Sequence, residues 1–170
     1  MTRENDQLEL FPTDDDPPPK PAKPKRPTGV GPAPADAELT TLARRIPPTI
    51  HLGTSSWSFP GWNGIVYDRS ASEAVLARNG LAAYAQHPLF RSVGIDRTFY
   101  APIDASQFAR YAADVPDHFR FLCKAHDQLT SPVIFQRGAP RSAAEPSPYF
   151  LDAAYAADAV VAPFVDGLGP

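Results

Sequence analysis

The sequence predicts an α/β protein, a parallel sheet with helical crossovers preceded by a disordered proline-rich tail. Three observations carry that expectation. Composition breaks sharply near Thr49, with eleven of the twenty-one prolines lying before it. Beyond the break, short β-branched and apolar runs alternate with alanine-rich segments of helical periodicity. That alternation of strand and helix is the pattern of a parallel sheet. Two regions follow, a tail over residues 1–48 and a folded unit over 49–170.

The tail run PPPKPAKPKRPTGVGPAPA, Pro17 to Ala35, offers few helix donors and little worth burying, so disorder with stretches of polyproline II is expected. In the folded unit, TIHLGTSSW from Thr49 reads as a strand running into a Gly-Thr-Ser-Ser loop. SASEAVLARNGLAAYAQH starts with Ser70 and Glu73 at capping-box spacing and reads as helix, split at Asn79-Gly80. FRSVGID, ending at Asp96, is a second strand. DASQFARYAADV pairs Asp104 with Gln107 as another capping box and sets Phe108 and Tyr111 on one helical face. FRFLCKA, Phe119 to Ala125, is a third strand, and a polar loop spans Asp127 to Pro148. In the last helix Ser147 suits the N-cap, Pro148 the first turn and Gly167 the C-terminal end, while Pro163 kinks or shortens the final turn.

Length and composition fit one ordinary domain plus an appendage: 170 residues, 43% apolar and 21% charged. The net charge of −3 gives no overall cation excess of the kind that drives non-specific binding to nucleic acid or anionic membranes, so such binding must be local. Without eighteen consecutive apolar residues no membrane span is expected. The lone Cys123 forms no intramolecular disulfide and MTRENDQ lacks the halves of a secretory signal, which points to the cytoplasm. Histidines 51, 87, 118 and 126 lack zinc-type spacing, so no structural metal is expected.

Within the tail, Gln7-Leu8-Glu9-Leu10-Phe11 places apolar groups where nothing local buries them, which implies a partner surface. The pentapeptide resembles the QLxLF motif by which bacterial repair and replication proteins dock on the DNA sliding clamp. That resemblance implies a rim hydrogen bond from Gln7, a small site for Leu8, and the main apolar pocket for Leu10 and Phe11. Burying Leu10 and Phe11 supplies roughly 1.5–3 kcal/mol each before ordering costs, in keeping with a micromolar contact. Chance occurrence and docking back onto the chain's own domain are the alternatives.

GTSSWSFPGWNGIVYD, VGIDRTFYAP and PDHFRFLCKAHDQLTSP resemble, in order and spacing, the first three strand ends of the YecE-like family, domain of unknown function 72. The likeness covers roughly Ile50 to Pro170. It implies a partial TIM-type (β/α) barrel of about three βα units. About 120 residues follow the tail, against roughly 250 for a closed barrel. The expectation is therefore an N-terminal part, cut where a fourth strand would begin. Gly94-Ile95-Asp96 stands where many members have Glu-x-Asn, and Leu129-Thr130-Ser131 where many have Ile-Thr-His. These departures imply chemistry altered from the family's, or none.

Barrel sites form where strands end and loops begin. That rule selects Thr54, Ser55, Ser56 and Trp57 from the first strand end, Asp96, Arg97 and Tyr100 from the second, and Lys124, His126 and Asp127 from the third. Period-2 alternation puts Phe119, Phe121 and Cys123 on one face, leaving Lys124 on the other, beside Asp96. Lys124 and Asp96 are the candidate catalytic pair, to hold an anionic substrate or supply an acid or nucleophile. A satisfied polar plug is the alternative. Trp57, Arg97, Tyr100 and His126 are candidate ligand-binding residues. Trp57, Trp62, Phe99 and Tyr100 form either an aromatic floor or loop anchors. His126 with Asp127 and Asp96 makes a weak metal constellation, and none is assigned. Cys123, His51 and His118 read as structural.

Three functions fit this reading. One is a hydrolytic or nucleic-acid processing barrel enzyme tethered to the sliding clamp, and another a non-catalytic barrel for an anionic small molecule or nucleic acid. The third is an inactive truncated product.

Overall fold

The computed structural model describes residues 29–135 and 144–169. The QLELF segment at residues 7–11 and most of the proline run lie outside them. A stretch expected to lack structure carries the first helix, α1 (Ala37–Arg45). Asp36 caps it by accepting from the Leu39 N–H at 2.6 Å, Arg44 and Arg45 occupy its last turn, and Pro47-Pro48 follows. Those are ordinary start and stop signals that the surrounding prolines mask. Just before it, residues 31–33 strap onto a later loop. Ala33 donates to the Val66 carbonyl, Asp68 N–H to Gly31, and Gly31 N–H to the Asp68 carboxylate, each at 2.9 Å.

The three expected strands are present, and shorter than the runs that predict them: β1 (Gly53–Thr54), β2 (Ser92–Ile95) and β3 (Arg120–Cys123). They lie side by side in that order, parallel, with Thr54 opposite Val93 and Ile95 opposite Cys123. Between β1 and β2 run α2 (Glu73–Asn79) and α3 (Leu81–Tyr84), parted at Gly80 as the Asn-Gly pair predicts. The cap differs from expectation. Ser72, not Ser70, accepts from Val75 N–H, so the helix starts two residues later than the Ser70–Glu73 spacing implied.

After β2 comes a single turn, α4 (Arg97–Tyr100), then α5 (Ala105–Ala113) with Asp104 as its cap, accepting from Gln107 N–H at 2.8 Å. Only half of that capping box forms by side chain as expected, because the Gln107 carboxamide accepts from Arg110 instead. Phe108 and Tyr111 are both buried on the predicted face.

The region from Asp127 to Pro148 is more ordered than a plain loop. It holds a turn α6 (Asp127–Thr130) and an antiparallel pair, β4 (Val133–Ile134) with β5 (Glu145–Pro146), separate from the main sheet. The last helix also departs from expectation. Ser147 donates to the Gln128 carbonyl and accepts from Tyr149 N–H at 3.3 Å, bracing a turn ahead of the helix, while Asp152 caps α7 (Ala153–Tyr155) by accepting from Tyr155 N–H at 2.8 Å. The chain then widens into π-helical turns over Ala156–Val161 before α8 (Ala162–Leu168). The widening sits just ahead of Pro163, whose missing N–H and bulky ring disfavour regular α-turns there. Gly169, at φ 79°, ends the helix in place of Gly167. Gly167 is instead buried, and a Cβ there would lie 2.4 Å from the Phe108 Cβ and 2.5 Å from the Ala105 carbonyl oxygen. It is glycine because α8 presses against α5.

One hydrophobic core joins Val93 and Ile95 of β2 to Leu76, Tyr84, Phe108, Tyr111 and Phe119, with Phe121, Cys123 and Phe164 packed on it. The helices that supply this core, α2, α3, α5 and α8, pack on the sheet face that carries Val93 and Ile95. The opposite face carries Gly53, Ser92 and Gly94, then Arg120 and Leu122, and Leu122 is 73% exposed. Alternation along the third strand follows the prediction, with Phe119, Phe121 and Cys123 inward and Arg120, Leu122 and Lys124 outward.

Candidate functional site

The C-terminal ends of the three strands gather most of the polar side chains that alternation and loop chemistry placed there. At the end of β1 the chain turns through Ser55–Ser58. Thr54 donates its hydroxyl to the Ser56 carbonyl at 2.7 Å, and Ser56 Oγ accepts from Ser58 N–H at 3.1 Å while lying 3.0 Å from Ser58 Oγ. Buried Tyr84 braces this turn from below. Its hydroxyl accepts from Thr54 N–H at 3.0 Å and reaches the Ser92 carbonyl at 3.2 Å, tying β1 to β2. Gly94 allows the close approach, since a Cβ there would stand 2.7 Å from the Ser55 carbonyl oxygen.

Asp96 follows β2 and Lys124 follows β3, next in register after Ile95 and Cys123. Lys124 Nζ lies 3.0 Å from Asp96 Oδ1, with both side chains about half exposed. An ion pair so open to water is worth at most about 1 kcal/mol of stability. Arg97 reaches the other way, donating to the Tyr111 hydroxyl at 3.1 Å. Asp96 and Arg97 share a recess of about 180 Å³ with Ser55, Ser56, Ser58 and Tyr111.

The remaining candidates lie apart from that recess or turn away from it. Trp57 lines it, yet is only 6% exposed; its indole N–H donates to the Leu76 carbonyl at 3.1 Å and its ring meets Tyr111 edge-on at 5.2 Å. Tyr100 is 71% exposed and touches Phe99. His126 is buried, its Nδ1 2.7 Å from the Tyr155 hydroxyl and its Nε2 3.3 Å from Asp127. Tyr155 stacks on Tyr149 at 4.1 Å, and burial, Tyr149 and Asp127 together push its phenol upward. His126 also borders an apolar cavity of about 360 Å³ with Thr98, Phe108, Cys123 and Phe164. Burial there pushes the Cys123 thiol up to about 11.

Sequence reasoning missed Ser58, Tyr84, Tyr111 and Tyr155 as parts of these constellations. Tyr111 had a signal, its helical spacing from Phe108, but that spacing reports burial and says nothing about where a hydroxyl ends. Among the described residues no cluster of three or more His, Cys, Asp or Glu side chains is arranged to hold a metal ion. Among the same residues no helix is long and apolar enough to cross a membrane.

A parallel three-stranded sheet packed with helices, with charged and hydroxyl side chains where its strands end, makes this an α/β protein. The chain belongs to the family described as protein of unknown function DUF72, which matches residues 51–168. No curated protein and no solved structure matches it.

Proposed function

We propose that the strand-end rim recognises an anionic, phosphate-bearing ligand, with Lys124 and Arg97 supplying positive charge and the Ser55–Ser58 turn supplying hydroxyls. The observation that carries this reading is the 3.0 Å contact of Lys124 with Asp96 at adjacent strand ends. It holds an ammonium group in place yet leaves it open to a ligand. Trp57, in the recess wall, and Tyr100 and His126, which lie outside the recess, complete the proposed binding set. The three βα units are read as a segment of a TIM-type barrel. One-sided helix cover supports that reading, because the face bearing Gly53, Gly94 and Leu122 is the one a barrel turns inward.

The test is binding of a fluorescently labelled phosphate ligand to the full chain and to Lys124→Ala. A charge-assisted hydrogen bond is worth about 1.5–3 kcal/mol, so affinity should fall roughly 10- to 150-fold. Equal affinity for the two proteins defeats the proposal.

A second reading, hydrolysis of the bound ligand, draws on Asp96, a partly exposed carboxylate that borders the serine recess and is placed to accept a proton from water or a hydroxyl. Turnover that vanishes in Asp96→Asn while binding persists would support it, and the ligand recovered intact from the unaltered protein would end it. We further propose that Gln7, Leu8, Leu10 and Phe11 dock on the DNA sliding clamp and bring this rim to replicating or repaired DNA. The motif alone supports that step. A Leu10→Ala, Phe11→Ala protein that binds purified clamp as well as the parent does removes it.

A further inference from the structure

We propose that the groove between α2 and α5 is a second anion subsite, continuous with the strand-end recess, so that the ligand carries at least two phosphate groups. Arg78 from α2, Arg97 from α4 and Arg110 from α5 line this groove of about 530 Å³. Against these three guanidiniums stands one carboxylate, Asp114, and none of the three forms an ion pair among the described residues. Arg97 is held by Tyr111 and Arg110 by Gln107, contacts with neutral oxygens that orient the cations. Arg110 also acts on the Asp104 carboxylate beyond the groove lining, so Arg78 and Arg97 carry most of the groove's uncompensated charge.

An arginine in the last turn of a helix also complements that helix's negative end. That accounts for Arg78 and Arg110 singly. It does not account for Arg97, which comes from another element, or for the floor of Ala74, Ala77 and Ala113, which keeps the groove open where longer side chains would fill it. Guanidinium groups bind phosphate oxygens in pairs, and a cluster of like charges on low-dielectric walls concentrates anions. Ala77, Arg97 and Tyr111 border both the groove and the serine recess, so a ligand seated on Arg97 reaches either side. This inference rests on the rim reading for the ligand's other end and on its own residues for this one.

The experiment titrates the full chain with inorganic pyrophosphate and, separately, with a short single-stranded oligodeoxynucleotide. The panel is the parent, Arg78→Ala/Arg110→Ala, Lys124→Ala, and Arg44→Ala/Arg45→Ala on α1, which loses the same charge elsewhere. The groove variant should weaken binding at least tenfold for whichever probe binds, with the α1 variant unchanged. For the oligonucleotide it should also flatten the slope of log affinity against log salt by roughly 1.4, two phosphate contacts on a single strand. Pyrophosphate binding identifies a compact polyphosphate, and oligonucleotide binding alone identifies phosphates spaced along a chain. Equal losses in the groove and α1 variants overturn the inference, as does a parent that binds neither probe. If Lys124→Ala changes nothing while the groove variant loses affinity, the rim reading falls and the groove stands. Single Arg78→Gln and Arg110→Gln proteins, checked by thermal melting, cover the case in which the double variant fails to fold.

Discussion

Replacing Tyr84 by phenylalanine isolates one hydroxyl that positions the candidate site. The ring is fully buried and stacks on Phe90 at 4.7 Å, and phenylalanine keeps that packing. What disappears is an acceptor for Thr54 N–H and a donor shared between Thr54 Oγ1, 2.8 Å away, and the Ser92 carbonyl. Thr54 N–H keeps its place in the ladder facing Ser92 and Thr54 Oγ1 still donates to Ser56, so what is lost is the hydroxyl's own hydrogen bonds. A hydrogen bond of this kind contributes about 0.5–1.5 kcal/mol net. With unfolding entropy near 2.1 cal/mol/K per residue over a folded portion of about 130 residues, each kcal/mol lowers Tm by roughly 4 °C. Calorimetry of Tyr84→Phe should therefore show Tm lowered by about 2–6 °C, and the Thr54 amide should exchange faster than in the parent. A Tm within about 1 °C of the parent, with Thr54 exchange unchanged, would refute the claim that this hydroxyl ties β1 and the serine turn to β2.

Three further outcomes follow from the packing. Gly167→Ala puts a methyl group where neither Phe108 Cβ nor the Ala105 carbonyl can swing aside, so urea unfolding should show a loss of about 1–3 kcal/mol. His87 stacks on Phe90 at 4.2 Å, and burial lowers its pKa. The unfolded chain thus takes up the proton first. Its contribution is intact above about pH 6.5 and shrinks as pH falls below that value, a slope that melts across pH 5–8 should reveal and His87→Gln should flatten. Cys123, its thiol pushed up to about 11, should react sluggishly with a disulfide reagent at pH 8 in the native protein and rapidly in urea.

How far the sequence foretold the molecule differs between levels. Strand order and the helix-facing side of β3 were legible because alternation and capping are local signals. The α2–α3 break at Asn79-Gly80 was legible for the same reason. The helix at Ala37–Arg45 was written in Asp36, Arg44 and Arg45 but drowned in a proline-rich average. Ser147 accepts from Tyr149 N–H as a cap would, but the chain makes only a turn there and the helix starts at Asp152, whose carboxylate takes the cap. The Asp96–Lys124 contact could be anticipated because both residues end neighbouring strands. Arg78 and Arg110 could not be placed with Arg97, because helix-to-helix packing brings them together and no spacing in the chain records it.

The π-helical turns at Ala156–Val161 leave the last helix with more chain than its height needs. Helices ordinarily resist the loss of a residue, since everything beyond the gap rotates by about 100°. Here the surplus is already taken up sideways. Shortening the segment by one residue would tighten the wide turns and leave Tyr155 against His126 and Phe164 against Phe108. This is the one stretch of the helix where a frame-preserving codon deletion leaves both contacts in phase.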